Sequence, residues 1–159
     1  MTPDQAVARA RGMIGKGVRY KLGRGGIDPA SPTPATPDGL CDCSGFICWV
    51  LEMSRKTDHP FYVHFNQGWI NTDAIVADVK APVGLFSPAV ARPGALIVYP
   101  RSGKKVGHVG IVTKVTGGMP DLVVHCSSGN FKSTGDAVRE TPPTVFNRPA
   151  TVLAWWAGF

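Results

Sequence analysis

The sequence predicts an α+β fold in which N-terminal helices pack on one face of a small antiparallel sheet. Two observations carry this. Near the N-terminus apolar residues recur at helical spacing, as in Ala6, Val7, Ala10, Met13 and Ile14. After Pro93-Gly94 the chain changes to short β-branched and aromatic runs, "ALIVYP", "GHVGIVTKV", "LVVHCS" and "TVLAWWA", divided by Gly, Pro, Asn and Asp. Helices first and strands later are the pattern of segregated layers. The 159 residues suffice for one core, and no repeat, low-complexity tract or linker divides them, so a single domain over 1–159 is expected.

Thr2 offers an N-cap, Pro3 a first helical residue and Gln5 the capping-box partner, so a first helix should run to about Gly15. Gly23 to Gly39 is dense in Gly and Pro and reads as a long surface loop. A second helix should begin right after Cys43, with Ser44 as its cap and Phe46, Ile47, Val50 and Leu51 as its buried stripe. Residues 55 to 65 read as irregular, and "NQGWINTDAIVADV" as a third, shorter helix.

Composition narrows the function classes. Apolar content is 43% and charged content 18%, and no apolar run approaches the roughly 18 residues of a membrane span, so a soluble protein without one is expected. "MTPDQAVARARGMIGKG" lacks the apolar core of a Sec signal, leaving another export route, phage association or trimming open. The net charge of +6 favours an anionic partner such as cell-wall polymer, or is simply a solvated basic surface. No basic block exceeds "GKK" and no aromatic-basic RNA signature occurs, which disfavours nucleic acid.

Four cysteines, at 41, 43, 48 and 126, are too few to build a disulfide scaffold. Cys43, at a helix start, is the nucleophile candidate, because unpaired N–H groups and the helix dipole favour a thiolate. Cys48, mid-helix among apolar neighbours, reads as a small buried hydrophobe. A thiol nucleophile needs a base, and imidazole serves near neutral pH. His59 and His64 lie in the irregular "DHPFYVHF" and suit surface or loop-packing roles. Strand alternation places His108 with Gly110 and Val112, and His125 with Val123. In suitable register the two imidazoles share a face, one as base and the other orienting it.

"DCSGF" (42–46), "GHVGIV" (107–112) and "VVHCS" (123–127) resemble, in order, the three signature blocks of the NlpC/P60 cysteine peptidases. "GVRYKLGRGG" is similar to the family's segment before the nucleophile, and "RPGALIVYP" to its strand before the histidine. The resemblance spans about residues 5 to 127. It implies a papain-like core with Cys43 as nucleophile, His108 as base and His125 as the third polar residue. It also implies that Tyr20 lines the substrate cleft, that Asp42 and Ser44 help hold a substrate amine, and that no cofactor is needed. The implied substrate is bacterial peptidoglycan stem peptide, cut at the γ-D-glutamyl to diamino-acid bond through an acyl-enzyme at the cell wall. Ala95 replaces a usual Asp, residues 28 to 38 look inserted, and Cys41 lies outside the motif.

Rival readings are a CHAP-type amidase or cross-bridge peptidase, and a catalytically silent cell-wall or protein-binding module. Structural zinc on Cys41, Cys43, His108, His125 and Cys126 is disfavoured because C-x-C and H-C spacing presents ligands awkwardly, so no metal is expected. Cys41 and Cys126 could instead form a disulfide, with free thiols as the default. If the enzyme is an antibacterial effector, the producing cell would need an inhibitor protein.

Overall fold

The computed structural model describes residues 1–159, and it has the expected two-layer α+β architecture. Helix α1 spans Pro3–Arg11 and opens on the expected capping box, with the Thr2 hydroxyl accepting from the Gln5 amide. It ends four residues before Gly15. The Met13 and Ile14 amides bond to the carbonyls of Ala10 and Arg11, three residues back, and these tighter turns run out at Gly15, whose φ is 78°.

Strands β1 (Arg19–Tyr20) and β2 (Leu40–Cys41) form a separate parallel pair at the two ends of the Gly/Pro-rich loop. That loop is tied to the helix that follows it. Trp49 Nε1 donates to Ser31 O at 2.8 Å, and Arg9, stacked on Trp49, donates to Pro29 O at 2.9 Å.

Helix α2 spans Cys43–Val50 and is buried over its whole length, so it forms the centre of the fold and not an amphipathic surface. Its cap is Asp42 in place of the expected Ser44: the carboxylate accepts from Gly45 N at 2.9 Å. The segment expected to be irregular contains helix α3, Pro60–Asn66. Pro60 supplies a pre-set helical φ, the His59 ring accepts from Phe61 N, and Gln67 in the left-handed region stops the helix. Helix α4 spans Thr72–Lys80, capped by Asn71 accepting from Ala74 N at 2.8 Å.

The sheet contains β3 (Phe86–Pro88), β4 (Leu96–Tyr99), β5 (His108–Thr116), β6 (Met119–Cys126), β7 (Val138–Thr141) and β8 (Val152–Trp156). Their spatial order is β3-β8-β4-β5-β6-β7, every pair antiparallel. The anticipated runs supply β4, β5, β6 and β8. Between β6 and β7 lies a short helix α5, Ser128–Thr134, and between β7 and β8 a single 3₁₀ turn, Pro143–Phe146.

Alternation along the strands divides the apolar residues between the faces. Leu96, Val98, Val109, Ile111 and Val124 join the helices in a core of 29 buried residues. Ile97, Val112 and Val123 lie on the opposite face and pack with Phe146 in a cluster of four. Each fully buried Leu, Ile or Val contributes about 1.5–3 kcal/mol, so the helical face carries most of the fold's stability.

Candidate active site

Helix α2 packs on β5 and β6, and the cleft that Cys43 lines is also lined by Gly107, the residue before β5. Cys43 is the first residue of α2, 3% exposed, and the backbone N–H groups of Val109 and Ser44 act on its sulfur. His108, the first residue of β5, precedes Val109. The β5–β6 register pairs Val112 with Val123 and Ile111 with Val124, which sets Gly110 against His125. His108 and His125 therefore share the face anticipated for them, and His108 Nε2 lies 2.7 Å from His125 Nδ1.

The glycines flanking His108 are required by space. A Cβ on Gly110 would lie 2.5 Å from Val123 Cγ1 and 3.0 Å from His125 Cβ. One on Gly107 would lie 2.5 Å from the Tyr99 carbonyl oxygen and would also strike the Thr72 hydroxyl. The strand is bare where the second imidazole crosses it.

Both imidazoles are held neutral. Burial, then the neighbouring His125, lowers the His108 pKa to about 3, and burial lowers that of His125 to about 4. Contrary to the expectation of a thiolate at the helix start, burial and then the adjacent Asp42 carboxylate push the Cys43 thiol up to about 12. Desolvation outweighs the helix dipole, and the resting site holds a neutral thiol and two neutral imidazoles.

On the other side of Cys43 lies a buried polar network. Asp42 Oδ1 accepts from Ser44 Oγ at 3.1 Å and Gly45 N at 2.9 Å, and Oδ2 accepts from Gly23 N at 2.6 Å and Arg55 Nη2 at 2.8 Å. The same Arg55 nitrogen donates to Ser44 Oγ at 2.8 Å. All the lone-pair directions of Asp42 are used, so it acts through Ser44 and Arg55 and not as a free acceptor. Tyr20 pairs with Cys41 in β1–β2. Its phenol pKa is raised by burial, then by Cys43 and Asp42. A cleft of about 260 Å³ runs past Cys43 and Ser44, with Leu22, Arg101 and Val106 along it.

The structure thus gathers Tyr20, Asp42, Cys43, Ser44, His108 and His125 at one end of the sheet, while His59 caps α3 and His64 lies on it. Cys41, Cys43, Cys48 and Cys126 are free and buried. No group of three or more His, Cys, Asp or Glu side chains converges as a metal site.

Three residues were not anticipated. Arg55 sits in an irregular stretch and gives no local sign of its buried partner. Phe146 stacks on His108 at a centroid distance of 5.1 Å and 16° between planes, and lies edge-on to His125 at 5.6 Å. Thr141, the last residue of β7, places its hydroxyl 2.9 Å from His125 Nε2.

Residues 35–130 match the CHAP domain family. No curated protein matches the chain. Among solved structures, the P60 domain from M. avium subspecies paratuberculosis antigen MAP1204 is similar at a TM-score of 0.46 and 21% identity, covering 95% of this chain and 94% of that one. Ly7917 is similar at a TM-score of 0.53 and 15% identity, and shows the shared fold. The match covers 97% of this chain and 62% of Ly7917, so the chain spans about three-fifths of that protein's length.

Proposed function

Because the chain belongs to the CHAP domain family of cysteine, histidine-dependent amidohydrolases and peptidases, we propose that it cleaves peptidoglycan stem peptides through an acyl-enzyme on Cys43. The chain is a cysteine peptidase or amidase of the CHAP family with an α+β architecture, and its substrate class is peptidoglycan. The observation that carries it is the 2.7 Å His108–His125 pair at the start of β5, where the helix bearing Cys43 packs.

His108 Nδ1 takes the thiol proton as the Cys43 sulfur attacks the substrate carbonyl. The negative charge that develops on the carbonyl oxygen is met by backbone N–H at the helix start, Cys43's own being the first candidate. His108 then returns the proton to the leaving amine, an acyl–sulfur bond remains, and water enters by the reverse sequence. His125 holds the base in place. Since the resting thiol is neutral, the proton moves during attack, and the sulfur's charge need not persist in a buried site. Tyr20, Ser44 and Asp42, backed by Arg55, form the substrate side of Cys43, and the scissile bond is the γ-D-glutamyl to diamino-acid amide.

A second reading, hydrolysis of the N-acetylmuramoyl-L-alanine bond or a cross-bridge, is favoured by the saturated Asp42, which has no free oxygen for a substrate amine. Digestion of purified muropeptides, read by mass spectrometry, decides between them by the fragments released. Intact peptides with wild type, or cleavage surviving Cys43→Ala, would overturn the enzymatic proposal and favour a binding module. The setting we propose is the cell wall of a target bacterium, with an inhibitor protein protecting the producer. No helix is long and apolar enough to cross a membrane.

A further inference from the structure

The two imidazoles do not end the hydrogen-bonded chain. His108 Nε2 lies 2.7 Å from His125 Nδ1, His125 Nε2 lies 2.9 Å from Thr141 Oγ1, and Thr141 Oγ1 lies 3.0 Å from the Pro142 carbonyl oxygen. A neutral imidazole carries one N–H and one bare nitrogen, so either ring could be written in two forms, and the pair alone does not choose between them.

The carbonyl at the far end does choose. Pro142 O can only accept, so the single Thr141 hydroxyl proton points to it, and Thr141 Oγ1 is left as an acceptor toward the ring. Were the proton turned to His125, two lone-pair oxygens would face each other at 3.0 Å. With the hydroxyl turned this way, His125 would carry its proton on Nε2 and leave Nδ1 bare, and His108 would donate its Nε2–H to that nitrogen. His108 Nδ1 is then bare, the form a base toward Cys43 must have. With both rings neutral and buried, each has one proton to place, and reversing any link reverses the next.

We infer that Thr141 is a positioning residue that sets the tautomer of both histidines from outside the catalytic constellation. Its hydroxyl contacts the His125 ring and the Pro142 carbonyl oxygen. It stands on β7, which pairs with β6 so that His125 lies opposite Arg139. It lies beyond residues 35–130, as does Phe146, which stacks on His108. The C-terminal segment thus closes the base from one side and fixes its proton from the other.

The role of Thr141 rests on the catalytic reading of Cys43 and His108, but its test does not. Long-range ¹H–¹⁵N NMR of the imidazole rings reads the tautomers directly, with or without turnover. Wild type and Thr141→Ser, which keeps the hydroxyl, should show Nε2–H on both rings. Thr141→Val should shift His108 toward Nδ1–H. With muropeptide substrate, kcat of Thr141→Val should fall roughly ten- to hundred-fold, as expected for a base in the wrong form, while KM stays within about two-fold. Thr141→Ser should restore kcat. Nδ1–H on either ring of wild type, a measurement that needs no variant to fold, would overturn the inference, and so would unchanged His108 tautomer and kcat in Thr141→Val. Wild type without hydrolytic activity would instead refute the proposed function and leave the tautomer comparison to decide the role of Thr141.

Discussion

Asp42 and Asp78 are both wholly buried carboxylates, yet they are satisfied in different ways. Asp78, near the end of α4, has no cation. It accepts from Tyr62 Oη at 2.7 Å and from the amides of Gly84, Leu85 and Phe86 at 2.8, 2.7 and 2.9 Å. These bonds fasten α3 and the entry to β3 onto α4. Asp42 has two amide or hydroxyl donors on its own helix turn, one amide from the loop before β2, and Arg55. The first arrangement spreads a charge over fixed backbone dipoles and locks a scaffold. The second keeps a full cation beside the cleft and gives Ser44 two charged neighbours. Burial alone does not distinguish a scaffold charge from a site charge, whereas the partner set does.

Substitution can break that distinction. Asp78→Ala strands the Tyr62 hydroxyl and three amides, and should cost about 4 kcal/mol in denaturant unfolding while kcat/KM per folded molecule stays at wild type. Loss of activity in the folded fraction would place Asp78 with the site after all. Arg55→Met leaves Asp42 uncompensated, and should cost about 3 kcal/mol and raise KM. The double variant Arg55→Met/Asp42→Asn sharpens the point: it should regain part of the stability, because the lone charge is gone, without regaining KM.

The imidazole pair adds an acid sensitivity specific to the site. Both histidines have pKa values depressed by burial, so the neutral form is favoured on folding. Their contribution is complete above about pH 6.5, where the unfolded rings are also neutral. It declines toward pH 4 as the unfolded chain takes up protons that the folded chain refuses, by about 1.4 kcal/mol per pH unit per ring. Urea midpoints measured at pH 7, 5.5 and 4 in wild type and His125→Asn should show the shallower loss in the variant. Equal slopes would mean that the rings do not titrate as described. The smallest effect is that of Ser44→Ala, about 1 kcal/mol, seen as a small shift in the thermal midpoint.

Local rules made much of this legible in advance. The capping box at Thr2, the period-2 runs of β4 to β6 and the helix start at Cys43 each depend on neighbours in sequence, and so did the shared face of His108 and His125. What escaped depends on distant partners. Asp42 displaced Ser44 as cap because its carboxylate could satisfy Gly45 while neutralised by Arg55, thirteen residues away. Helix α3 was hidden by its short length, and its start at His59-Pro60 falls inside the stretch from 55 to 65 expected to be irregular. Thr141 and Phe146 come from segments whose register against β6 no local pattern reveals. The thiolate expectation failed on magnitude: the dipole of an eight-residue helix is weak against complete burial beside a carboxylate.

Gly107 and Gly110 give the "GHVG" motif a meaning apart from chemistry. In a scan of every single substitution selected for wall hydrolysis, these two positions should tolerate as little as Cys43 and His108, since alanine at 110 would collide with Val123 and His125, and at 107 with Tyr99 and Thr72. A selection for folding alone would separate them: Cys43→Ala and His108→Ala should pass it and the glycine variants should not. Half of the motif's sequence specificity is thus a specification of empty volume.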